Sequence, residues 1–269
     1  MSTSYAKMNS QGNDFIVIDT SSNDFVENNH NITRICSRKN VGCDQLLLID
    51  TKNPSKVICK IYNSDGSVAC QCGNGLRAIM LYLNKNFHIS KSVINVCDVD
   101  YRAEIIDKNK ISVELGCPTF PEVAVKNLNK DNFLDFEFIP VFVGNLHCVV
   151  STEHDESDRD LIIEFLNSLY EGKANVTFIL NAEAFKKDPT SHLKVKVKER
   201  GAGWTKSCGS GATASAAFMI KYGTDKLDLQ PPINVEQEGG VLGVSWEPGQ
   251  TSLRLMGPSE IEYEGTWDD

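Results

Sequence analysis

Apolar residues along this chain come mostly in short runs or alternate with polar ones, the pattern of strands half buried in a sheet. Phe15 to Asp19, Leu46 to Asp50, Val57 to Tyr62, Val93 to Val96 and Ile111 to Leu115 are predicted strands in the first half. Val141 to Val143, Cys148 to Val150, Val176 to Leu180, Leu193 to Lys198 and Val241 to Trp246 have the same character in the second. Three stretches switch to helical spacing. Leu161, Ile162, Phe165, Leu166 and Leu169 form one apolar stripe behind a run of Asp and Ser residues, predicting an amphipathic surface helix. Gly75 to Asn84 and Gly211 to Tyr222 are small or apolar on nearly every face, so each is predicted to be surrounded by protein. The expected class is α+β, with two buried helices each wrapped by short strands.

Those two helices open on nearly the same residues, Cys72-Gly73-Asn74-Gly75 and Cys208-Gly209-Ser210-Gly211, about half the chain apart. A second echo pairs Gly12-Asn13-Asp14-Phe15 with Gly144-Asn145-Leu146-His147 at a similar offset. Two echoes in register point to an internal duplication and two similar domains. The stretch from Cys117 to Pro140, with three prolines and the polar run Lys126 to Asn132, is the best candidate connection.

A Cys-Gly-x-Gly turn entering a helix carries specific chemistry. The first N–H groups of a helix have no internal partner and form the positive end of its dipole. Glycines let a carboxylate approach that backbone closely. A cysteine there has its thiolate favoured. One such turn offers a carboxylate cradle beside a basic sulfur; two, from duplicated halves, place one sulfur on either side of a substrate's α-carbon. One thiolate removes a proton from one face and one thiol returns a proton on the other. The helix N–H groups stabilise the charge that develops on the carboxylate.

Composition narrows the alternatives. The 269 residues carry a formal net charge of −9, and no basic stripe appears, which argues against nucleic-acid binding. No apolar run approaches the length of a membrane-spanning helix, and the N-terminus lacks the layout of a secretory signal. Nine cysteines, an odd number in a long chain, are expected to be free thiols in a reducing cytoplasm. Cys36, Cys59, Cys97, Cys117 and Cys148 read as small buried hydrophobes. Cys70-Gln71-Cys72 lacks the spacing of a zinc site, and no metal is expected.

With Asn63-Ser64-Asp65-Gly66-Ser67 before the first cysteine turn and Glu199-Arg200-Gly201-Ala202-Gly203 before the second, the sequence resembles the diaminopimelate epimerases over essentially its whole length. The resemblance implies two pseudo-symmetric domains, each a curved mixed sheet or barrel around a central buried helix, with the active site in the cleft between them. The first domain would span residues 1–116 with a returning C-terminal strand at about 257–269, and the second 117–256. It further implies a cytoplasmic, cofactor-independent homodimer that epimerises LL-diaminopimelate to the meso form through Cys72 and Cys208. Gly73, Asn74, Gly209 and Ser210 would donate backbone N–H bonds to the reacting carboxylate. Asn13, Gln45, Asn63, Asn145, Asn175, Glu199 and Arg200 would hold the substrate, and His147 would lie near its α-amino group. These roles suit a zwitterionic head group, since a carboxylate, a guanidinium and several amides answer its charges and hydrogen bonds. The chain differs from the resembled pattern at Asn9-Ser10, at Leu146 in place of proline and at Trp204 in place of glutamate. An indole at 204 is expected to alter the surroundings of Cys208. Two other readings are a racemase of another amino acid on the same scaffold and a non-catalytic protein that binds carboxylated metabolites.

Overall fold

The computed structural model describes residues 2–121, 136–223, 232–247, 249 and 252–268; the polar run Lys126 to Asn132 lies outside them. The described chain is sheet-dominated α+β, as expected, and divides into two compact units, residues 1–114 with 256–269 and residues 115–255.

In chain order the first unit contains β1 (Ser2–Ser10), β2 (Asn13–Asp19), α1 (Asn29–Cys36), β3 (Gln45–Asp50), β4 (Lys56–Asn63) and β5 (Val68–Ala69). It continues with α2 (Gly73–Phe87), β6 (Lys91–Val96), β7 (Val99–Asp107) and β8 (Lys110–Glu114). The second unit contains β9 (Phe138–Val143), β10 (Asn145–Val150), α3 (Glu156–Leu169), β11 (Asn175–Ile179), α4 (Ala182–Lys187) and β12 (Leu193–Glu199). There follow β13 (Gly203–Thr205), α5 (Gly209–Tyr222), β14 (Ile233–Gln237) and β15 (Gly240–Ser245). A short strand, β16 (Arg254–Gly257), leads to β17 (Glu260–Asp268), which belongs to the first unit and pairs antiparallel with β1.

Each unit is built around one helix. In the first, strands run β17-β1-β2-β3-β4-β6-β7-β8, with β2–β3 and β4–β6 parallel and the other neighbours antiparallel. α2 packs on both ends and the middle of that row, and every residue from Gly73 to Met80 is buried. In the second, β9-β10-β11-β12-β14-β15 surrounds α5, whose residues Gly211 to Met219 are all buried. Glycines at a helix start cost about 1 kcal/mol each in propensity. Burial of Leu76, Ile79, Met80 and Leu83, at roughly 1.5–3 kcal/mol per large side chain, outweighs that on α2. On α5 the small residues have a steric reason: a Cβ on Gly211 would lie 2.7 Å from Val197 Cγ2, so an alanine would push the helix off β12.

α3 covers the other face of the second sheet. Ile162, Ile163 and Leu166 pack with Cys148, Val150, Val176 and Phe178, the outward alternates of β10 and β11. The inward alternates, His147 with Asn175 and Val149 with Thr177, point the opposite way because side chains alternate along a strand.

The cysteines correct the sequence reading. Cys36, Cys59 and Cys148 are buried thiols, but Cys117 is exposed on the connection after β8. Cys97 is bonded to Cys70, with Cα atoms 5.4 Å apart. It sits with Asp98 at the two-residue turn of the β6–β7 hairpin, where both adopt positive φ (47° and 63°) and project from the sheet. The side chain therefore leaves the core and meets Cys70, two residues ahead of the α2 cap.

Candidate active site

Both cysteine turns build the same local structure. Cys72 is the N-cap of α2 and Cys208 of α5, each with extended backbone. In each, the sulfur accepts the backbone N–H of the third helical residue at 3.3 Å: Gly75 to Cys72 Sγ and Gly211 to Cys208 Sγ. Ser, Thr, Asp or Asn would cap more strongly. A sulfur at this position instead gains an N–H donor and the positive end of a helix dipole, both of which favour thiolate.

Around Cys72 the first unit gathers amides. Asn13, at the start of β2, has Oδ1 4.0 Å from Cys72 Sγ and accepts from Asn74 Nδ2 at 3.3 Å. Asp44 fixes Asn13 by accepting its Nδ2 at 3.0 Å, and Asp44 is in turn gripped by Arg38 at 2.6 Å. Asp14, bonded to Lys7 and Arg38, has its carboxyl held well below the usual range by those two cations against the cost of burial. Gln45 and Asn63 lie opposite each other on β3 and β4, joined by Gln45 Nε2 to Asn63 Oδ1 at 2.9 Å. Gln45 Oε1 is buried without a hydrogen-bond partner. Cys72 remains partly exposed.

Around Cys208 the second unit gathers different groups. The sulfur is buried, and Ser210 Oγ lies 3.5 Å away. Ser210 Oγ is 2.9 Å from His147 Nε2, and His147 Nδ1 is 2.8 Å from Thr177 Oγ1, which makes a chain from sulfur to sheet. Asn175 Nδ2 approaches His147 Nε2 at 3.3 Å, while Asn175 Oδ1 accepts the Arg200 N–H at 2.8 Å. Burial pulls the His147 pKa down to about 3, so the ring is neutral at pH 7 with both nitrogens engaged inside the unit. Glu199 accepts from Thr205 Oγ1 at 2.5 Å. Burial first, and then the Glu199 carboxylate, push the Cys208 thiol well above its ordinary pKa. Asn145, two residues before His147 on β10, has a buried Oδ1 without a hydrogen-bond partner. Arg200 is exposed.

The structure thus collects Asn13, Cys72 and Asn74, with Gln45 and Asn63 beside one another, in the first unit. It collects His147, Asn175, Ser210 and Cys208, with Glu199 bearing on the sulfur, in the second. Sequence reasoning missed Gln237, whose amide clamps the Cys208 backbone: Oε1 accepts its N–H at 2.8 Å and Nε2 donates to its carbonyl at 3.2 Å. Ile233, Val235 and Gln237 alternate on β14, so a polar residue at a core position was the available signal. It also missed Asp44, and Ser10, whose Oγ donates to the Asn74 carbonyl at 3.1 Å.

Trp204 corrects an expectation. It pairs with Lys198 on β12 and stacks beneath Lys196 and Lys198, at 4.7 and 5.4 Å from their Nζ atoms. Glu199, Val197 and Thr205 occupy the alternate face, so the indole points away from Cys208. Among the described residues no three His, Cys, Asp or Glu side chains gather as a metal ion would require.

Residues 5–120 and 140–262 match the family model of diaminopimelate epimerase. The chain is 30% identical over 286 aligned positions to the diaminopimelate epimerase of Coxiella burnetii, with 100% of both chains covered. It is 29% identical to that of Blochmanniella pennsylvanica, covering 97% of this chain and 98% of the other. Among solved structures, a PhzF-family phenazine biosynthesis protein from Bacillus anthracis superposes with a TM-score of 0.73 over 100% of both chains at 13% identity. A hydroxyproline epimerase from Agrobacterium vitis gives 0.68 at 11% identity, covering 98% of this chain and 92% of that one. At such identities the structural likeness concerns the fold alone.

Proposed function

Since this chain belongs to the diaminopimelate epimerase family, we propose that it inverts one stereocentre of LL-2,6-diaminopimelate to give the meso form, with Cys72 and Cys208 as the acid–base pair. The observation that carries the reading is the duplicated cap: two cysteines, each with its sulfur 3.3 Å from a helix-start N–H.

The proposed reaction brackets one α-carbon between the two sulfurs. The Cys72 thiolate takes the α-proton, and the C–H electron pair delocalises onto the adjoining carboxylate. Backbone N–H groups of Gly73, Asn74, Gly209 and Ser210 stabilise that charge without reorganising. The Cys208 thiol, kept protonated by burial and by Glu199, then delivers its proton to the opposite face. Cys72 ends as a thiol and Cys208 as a thiolate, and the reverse reaction uses them in the opposite roles. Acid, base and carbanion stabilisation all come from the chain, so the reading calls for no cofactor. Asn13, Gln45, Asn63, Asn145, Asn175, Glu199 and Arg200 are assigned to the substrate, chiefly its unreacting end. His147 is assigned to hold Ser210 beside Cys208, since both its ring nitrogens are occupied.

The same reading carries a homodimer acting in the cytoplasm, in lysine and peptidoglycan precursor synthesis. Such a compartment would open the Cys70–Cys97 bond. The test is proton NMR of the reduced protein with LL-diaminopimelate in deuterated buffer. Appearance of the meso isomer with loss of the α-proton signal is expected. Unchanged substrate after long incubation, with the protein folded, would overturn the assignment.

A further inference from the structure

The mechanism above uses no cation on the Cys72 side, yet the first unit holds one at its centre. Arg77 is the bulkiest fully buried side chain among the described residues. It stands on α2 five residues beyond the capping cysteine, and its guanidinium reaches back toward the helix start. Nη1 donates to the Gly73 carbonyl at 3.4 Å, and Nε donates to the Pro258 carbonyl at 3.3 Å. Nη2 is buried with no hydrogen-bond partner.

That arrangement is poor as structure. Two long bonds to neutral carbonyls do not offset the desolvation of a charge, and an apolar side chain of similar volume would pack the same space more cheaply. A buried cation is accounted for by an anion. The other ionisable side chains buried or half-buried around α2 are occupied elsewhere. Lys7 and Asp14 bind each other, and Asp19 is held by Ser21 and Thr51. Asp19 and Glu264 bear on Tyr82, and Tyr101 donates to the Cys70 carbonyl. Cys59 is a thiol whose ionisation is opposed by burial and then by Cys72. Arg77 itself feels burial, which pulls it down to about 10, and the charge of Cys72, which pushes it back.

We propose that Arg77 is the built-in countercharge of the Cys72 thiolate, a positioning residue that touches no substrate and keeps Cys72 ionised as a substrate carboxylate enters. The proposal rests on Cys72 being the base. It also explains how a sulfur can stay anionic beside an incoming anion, since a fixed buried cation needs no reorganisation.

The test reads Cys72 without requiring turnover, so it can fail or succeed independently of the epimerase assignment. Reduced wild type, Arg77→Lys and Arg77→Met are alkylated with iodoacetamide across pH, and the Cys72 peptide is followed by mass spectrometry. In Arg77→Met the midpoint of Cys72 reactivity should rise by about one to three pH units, the usual effect of removing an adjacent opposite charge. Arg77→Lys should recover most of that shift. kcat at pH 7 should fall in Arg77→Met while KM stays within about twofold, because only the base is affected. The wild-type midpoint should barely move between low and 1 M salt, since a buried pair is weakly screened. A folded Arg77→Met with an unchanged midpoint would overturn the proposal. Should that variant fail to fold, a wild-type midpoint that climbs steeply with salt would overturn it instead.

Discussion

The entries to α2 and α5 are the same device in opposite electrostatic settings. Both cap a buried helix with cysteine, and both place an N–H 3.3 Å from sulfur. Cys72 is partly open, lined by the amides of Asn13 and Asn74, and backed by the buried guanidinium of Arg77. Cys208 is closed over, with the Glu199 carboxylate bearing on it and the neutral His147–Ser210 pair beside it. The difference teaches how a duplicated scaffold can serve an asymmetric task. Two sulfurs in identical settings would share one intrinsic pKa, with neither favoured as base; on the proposed reading, the cation behind one and the carboxylate beside the other separate them into base and acid.

Several substitutions would break or sharpen that contrast. The largest effect is expected from Cys72→Ser and Cys208→Ser, each lowering epimerisation on the order of 10³-fold or more, because a hydroxyl replaces a far more acidic thiol. Circular dichroism should show both variants folded, and near wild-type turnover in either would defeat the two-thiol reading. Glu199→Gln should follow, with kcat/KM down roughly 10²-fold. Glu199 raises the Cys208 pKa, so removing its charge lets the thiol lose its proton earlier. The alkaline limb of the pH–rate profile should therefore move to lower pH.

Gln237→Ala leaves the Cys208 N–H without its buried acceptor, which costs about 1–3 kcal/mol, while the carbonyl keeps the Ala212 N–H at 3.0 Å. Urea denaturation should show that loss, accompanied by a drop in kcat as the cap loosens. His147 tests the neutral side of the comparison. Its folded pKa of about 3 lies below the unfolded value, so between roughly pH 6.5 and 3 the unfolded chain binds the extra proton. Stability attributable to this group falls as pH drops, by up to about 1.4 kcal/mol per pH unit in that window. His147→Gln should flatten the acid branch of the stability curve; an unchanged slope would mean the ring is not held neutral. The smallest effect is expected from Trp204→Glu. The indole faces Lys196 and Lys198 and points away from Cys208, so kcat/KM should stay within about threefold and stability within roughly 0.5 kcal/mol.

The sequence carried the two central helices and their cysteine entries plainly, because glycine, cysteine and all-round apolar faces leave few other structures for those segments. Most sheet strands were equally legible from apolar runs such as Leu46 to Ile49. β1 and β7 were not, and β17 was expected only through the family resemblance, not from its own pattern. β1 is mostly polar in sequence although Thr3, Lys7 and Ser10 are buried, and β7 and β17 carry many exposed polar positions, so β17 reads Glu-Ile-Glu-Tyr-Glu-Gly-Thr-Trp-Asp and resembles surface loop. α1 was hidden for a similar reason, its Asn-His-Asn start masking the buried Ile32 and Ile35. Site residues that act through tertiary pairing were the least visible. Gln237 and Asp44 reach the cysteine clusters only once β14 and the loop before β3 are in place, and Cys97 meets Cys70 only through the β6–β7 turn.

The ionisation order of Cys72 and Cys208 decides whether one serves as base and the other as acid. Carbon-13 labelling at the cysteine Cβ, with Cys72 and Cys208 assigned from the serine variants, would follow each thiol through a pH titration of the reduced protein. Cys72 should ionise first, at least one to two pH units below Cys208, whose burial and carboxylate neighbour oppose charge. Joint titration of the two sulfurs, or Cys208 losing its proton first, would contradict the division of the duplicated cap into base and acid.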